Sequence, residues 1–97
     1  MFNLHPITSG IRDGRHQHYP TPNVRPQSAA TESAAEETAC RMLRAFNSIS
    51  YLRLTSGDGT EVRVYRRGDF FHRDSPLREV HHRVSGQDLA ARMATQP

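Results

Sequence analysis

The strongest constraint in this chain is a pair of alternating segments around a glycine-rich break. Ser50-Tyr51-Leu52-Arg53-Leu54-Thr55 and Thr60-Glu61-Val62-Arg63-Val64-Tyr65 both alternate with period two, and Ser56-Gly57-Asp58-Gly59 lies between them. This pattern predicts an antiparallel hairpin. The need for apolar side chains to share one face selects its register. A two- or four-residue loop would set Leu54 opposite Arg63 or Glu61 and mix the faces. The loop Gly57-Asp58-Gly59 instead sets Ser56 opposite Thr60, Leu54 opposite Val62 and Leu52 opposite Val64. Gly59 then takes the left-handed position that closes the turn. On the other face, Tyr51 meets Tyr65, Arg53 meets Arg63, and Ile49 lies opposite Arg67.

Upstream, Ser33-Ala34-Ala35-Glu36 matches a capping box, and Ala35, Ala39, Met42, Leu43 and Phe46 recur at helical spacing. A helix is predicted from residue 30 or 34 to 46, ended by Asn47, with Glu37 placed to pair with Arg41. Phe70 and Phe71 are candidate core anchors in an irregular crossing. Residues 78–84 alternate, with Val80, His82 and Val84 on one face, which we take as a third strand. Leu77, Val80 and Val84 also fit a helical face after Ser75-Pro76, so a helix is the alternative. Ser85-Gly86-Gln87-Asp88 leads into a short final helix at Leu89-Ala90-Ala91-Arg92-Met93.

Residues 1–28 read as a disordered tail. Pro6, Pro20, Pro22 and Pro26 break any helix, Gly10 and Gly14 loosen it, and Phe2, Leu4, Ile7, Ile11 and Val24 show no sustained period. The expected fold class is therefore α+β. A small single domain at 29–97 would run helix, hairpin, third strand and short C-terminal helix after the tail. Ninety-seven residues leave no room for a second domain.

All thirteen basic residues are Arg, against ten acids, for a net charge of +3. The surplus favours anionic partners. Cys40 is alone, which excludes an internal disulfide and any zinc site built on cysteine pairs. No apolar run approaches a membrane span, no charged-then-apolar signal peptide opens the chain, and Phe2 stands where N-myristoylation needs glycine.

Three constellations carry candidate chemistry. The hairpin register gathers Tyr51, Arg53, Arg63 and Tyr65, with Arg66 and Arg67 close behind, into a basic aromatic face for an anion or a partner. The bland reading is a solvated sheet face. His16, His18, His72, His81 and His82 lack the spacing of a closed metal site, so no metal or cofactor is expected. Cys40, a histidine at 81 or 82 (His81 taken first), and Asp88 occur in the chain order of some secreted cysteine proteases. Cys40 sits in mid-helix among apolar residues, however, where a buried inert thiol is the simpler account. Gly57-Asp58-Gly59 lacks the Lys-Ser or Lys-Thr of a phosphate loop.

The start Met1-Phe2-Asn3-Leu4-His5-Pro6-Ile7-Thr8-Ser9-Gly10-Ile11-Arg12 has an aliphatic residue at position 4, and its first acid is Asp13. Over residues 1–28 it resembles the leaders of type III secreted effectors of Gram-negative plant pathogens. The resemblance implies non-classical export into a host cell and a virulence role. The resulting expectation is a small effector that binds a host or bacterial protein without catalysis. A cytoplasmic Arg-rich regulator that binds nucleic acid through the basic hairpin face is the alternative.

Overall fold

In the computed structural model, which describes residues 1–84, the chain opens as a strand. Strand β1 (Phe2–Arg12) is followed by β2 (Arg15–Pro20), β3 (Gln27–Ala29), helix α1 (Glu32–Ala45), β4 (Tyr51–Ser56), β5 (Glu61–Arg66) and the short helix α2 (Arg67–Phe71). Residues 78–84 are also helical. The five strands form one antiparallel sheet in the order β2-β1-β4-β5, with β3 pairing on β1 beside β2.

The disordered tail and the helix-first order are therefore corrected. Residues 1–28 supply two of the five strands and most of a third, and β1 lies between its β2/β3 edge and β4. Its Phe2, Leu4 and Pro6 alternate with Asn3, His5 and Ile7, and Leu4 is fully buried. Pro6 is tolerated for a geometric reason. In an extended strand a residue's nitrogen and carbonyl point to the same side. The Pro6 carbonyl accepts from the Thr21 amide at 2.9 Å, so its donor-less nitrogen faces the interval between β2 and β3. Thr21 there lies outside both strands, and no ladder hydrogen bond is lost. Asp13 (φ 52°) and Gly14 (φ 74°) turn β1 into β2; two consecutive positive φ angles make the tight turn of a two-residue hairpin.

The N-cap of helix α1 is Thr31, two residues before the proposed Ser33 cap. Thr31 Oγ1 accepts from the Ala34 amide at 3.1 Å. The helix lays Ala35, Ala39, Cys40, Met42 and Leu43 on one face of the sheet, against Leu4, Leu52, Leu54 and Tyr65. Glu37 bonds Arg83 at 3.0 Å, tying α1 to the helical segment at 78–84. That segment corrects the third strand. Val80 and Val84 are buried while His82 is exposed, which period two forbids and a helical turn requires. The expected final helix and its Ser85–Asp88 cap lie outside the described residues.

The hairpin keeps its loop and loses its register. Ser56 and Thr60 pair at 2.9 Å across Gly57-Asp58-Gly59, with Gly59 at φ 87°. One step later the ladder slips. Thr55 pairs with Glu61, but Leu54 pairs with Arg63, Arg53 with Val64, Leu52 with Tyr65 and Tyr51 with Arg66. Val62 is the extra residue of a β-bulge and stays 44% exposed. Every later side chain of β5 is inverted. The slip buries the Tyr65 ring, 5.7 Å from that of Phe70, and lets Arg63 reach Glu36 on α1 at 3.1 Å. Phe70 is fully buried, as a core anchor should be.

Candidate functional site on the open sheet face

Helix α1 covers one face of the sheet. Among the described residues no helix covers the other. Strand alternation and register place His5, Ile7, Ser9, His16, His18, Tyr51, Arg53, Val64 and Arg66 there together. A continuous row spans four strands. The rings of His16 and His18 meet edge-on at 5.1 Å, and Tyr51 Oη lies 3.3 Å from His18 Nδ1. The Arg66 guanidinium stands 5.0 Å over the Tyr51 ring, a cation–π contact. Ser9 Oγ bonds His16 Nε2 at 3.2 Å. Beside the row, His5 Nε2 bonds Thr55 Oγ1 at 2.9 Å, and Arg53 pairs with Glu61 at 2.9 Å. A cavity of about 470 Å³ opens beside the row, lined by His5, Ile7, Pro20, Pro26, Arg53 and Thr55 among others.

Of the six residues singled out in the sequence, Tyr51, Arg53 and Arg66 meet on this face. The bulge sends Arg63 and Tyr65 to the opposite side. Tyr65 is fully buried, and Arg63 pairs with Glu36 while lying 4.9 Å over the Tyr65 ring. Burial, and then the Glu36 charge, push the Tyr65 hydroxyl up to about 12. Arg67 serves the fold. It donates to the carbonyls of Leu43 at 3.1 Å, Ile49 at 3.0 Å and Phe46 at 2.9 Å, closing the C-terminal end of α1. Sequence reasoning weighed His16 and His18 only as metal ligands and passed over His5, because it held no strand for residues 1–28. The Asp13-Gly14 dipeptide was the signal that could have found them.

Of the Cys40, His81 and Asp88 set, the structure describes the first two. Cys40 is fully buried in the middle of α1. His81 Nδ1 takes a 2.7 Å bond from Arg44, a cation where an orienting carboxylate would stand. Asp88 lies outside the described residues. No group of three or more His, Cys, Asp or Glu among the described residues could hold a metal ion, and no helix among them is long and apolar enough to cross a membrane. Comparison with protein-family models, curated proteins and solved structures finds no match for this chain.

Proposed function

We propose that this chain is an interaction protein and that its open sheet face binds an acidic surface of a partner protein. The observation that carries this reading is the composition of that face. Arg53, Arg66, His5, His16 and His18 gather around Tyr51, with Glu61 as the acid paired to Arg53. Such a face offers forked donors and an amphipathic ring to carboxylates.

The nucleic-acid reading loses two of its arginines, because Arg63 and Arg67 are engaged by Glu36 and by backbone carbonyls. Base stacking also needs an open aromatic face, and Arg66 already covers one face of Tyr51. A salt series with two probes separates the readings. We expect a poly-glutamate peptide to shift the resonances of Tyr51, Arg53, Arg66 and His18, and Arg66→Gln to weaken the binding. Tighter binding of a single-stranded oligonucleotide, with affinity falling steeply as salt rises, would favour nucleic acid instead.

Delivery into a host cell as an effector remains part of the proposal, supported by Leu4 and the acid-free run from Met1 to Arg12. The segment concerned includes all of β1, so export would require the whole domain to unfold. Residues 1–28 fused to a translocation reporter would then be exported by wild-type bacteria and not by a type III-deficient strain. Retention in both strains would contradict export and leave a cytoplasmic protein.

A further inference from the structure

We infer that a second, separate site, between α2 and the helical segment at 78–84, binds a phosphomonoester. A cavity of about 360 Å³ lies there, lined by Phe70, Phe71, His72, Arg73, Arg78, His81 and His82. Five of the seven lining residues are Arg or His, and none is a carboxylate. Asp74 and Glu79 belong to the same stretch of chain but do not line it.

Hydrogen bonds fix what the histidines offer. Arginine only donates, so the 2.7 Å bond between Arg44 and His81 Nδ1 leaves His81 neutral, with its proton on Nε2. Arg78 Nε donates to His82 Nε2 at 3.1 Å, which leaves the His82 proton on Nδ1. The Asp74 amide donates to His72 Nδ1 at 3.4 Å, which leaves the His72 proton on Nε2. Each imidazole thus retains one N–H to donate, beside the guanidinium groups of Arg73 and Arg78. A phosphate dianion carries three terminal oxygens and two charges, and it suits several donors and fixed cations better than a carboxylate does. The Phe71 ring, edge-on to His81 at 4.7 Å, adds an apolar wall for the esterified group. Burial, and then the charges of Arg44 and Arg78, hold His81 below the ordinary histidine range. A bound anion would relieve that positive field.

The test follows histidine ring resonances of the full chain during titration with inorganic phosphate and with phenyl phosphate at constant ionic strength. We expect saturable shifts at His72, His81 and His82, absent from His16 and His18, and tighter binding of phenyl phosphate. Equal affinity for the two probes would assign the site to free phosphate and overturn the ester. Arg73→Gln and Arg78→Gln, both at exposed positions and checked for an unchanged melting temperature, should each weaken binding about tenfold. Arg66→Gln, on the open sheet face, should leave it unchanged. Non-saturating shifts, shifts shared by all the histidines, or full affinity in folded Arg78→Gln would overturn the site.

Discussion

Arg67 and Arg53 have the same side chain and opposite consequences. The guanidinium of Arg67 is partly buried and satisfies three backbone carbonyls at the end of α1. Arg53 makes an exposed ion pair with Glu61. Removing a charged donor that serves three carbonyls, two of them in part-buried bonds, costs roughly 2 kcal/mol, whereas an exposed pair contributes at most about 1 kcal/mol. Arg67→Met should therefore lower unfolding free energy by about 2 kcal/mol and Arg53→Met by under about 1 kcal/mol, measured by urea denaturation. Tyr65 gives the reverse case. Its buried hydroxyl has no hydrogen-bond partner among the described residues, although its ring is central to the core. Tyr65→Phe should match or exceed the parent's stability, because it removes an unsatisfied polar atom and keeps the packing. A clear loss in the same denaturation series would mean that the hydroxyl is engaged.

At the scale of the element, the hairpin shows what a pattern can and cannot specify. Its loop was legible, because Gly59 alone supplies the positive φ that closes Gly57-Asp58-Gly59. Its faces were not, because alternation assumes an unbroken ladder and the bulge at Val62 inverts everything after it. The inversion depends on long-range partners, Phe70 for Tyr65 and Glu36 for Arg63, which no local spacing reveals. Residues 78–84 failed similarly: short apolar runs fit both periods, and packing against the core decided. The turn also carries a pH prediction. Bonds from the Ser56 hydroxyl and the Thr60 amide hold the Asp58 carboxyl down to about 2. A depressed folded-state value stabilises above the unfolded value near 4 and is lost as pH falls through the folded one. The Thr60 amide resonance should therefore titrate with a midpoint near pH 2, and the turn should loosen between about pH 4 and pH 2. A midpoint near 4 would show that the two bonds do not form.

For the whole molecule, the consequence of greatest weight is that the N-terminal segment is structural. Its prolines and scattered apolar residues hid a strand, because Pro6 meets a gap in pairing and Leu4 packs under α1 from a distant part of the chain. Leu4→Ala should cost about 3 kcal/mol, a large share of the stability of a domain this small, and thermal unfolding measures it. That same strand brings His5 to the open face, and its hairpin partner brings His16 and His18, so the candidate site exists only when residues 1–28 are folded. Of the six residues singled out in the sequence, Tyr51, Arg53 and Arg66 lie on this face, although the register that grouped them did not hold. The histidines required the topology. The most direct test of the binding face is site-specific photo-crosslinking in cells, with the photoreactive residue placed at position 53 or 66 on the open face, or at position 33 on α1. The account predicts a protein adduct from positions 53 and 66, suppressed by poly-glutamate peptide, and none from 33. Adducts to nucleic acid, or a protein adduct from position 33 alone, would contradict it.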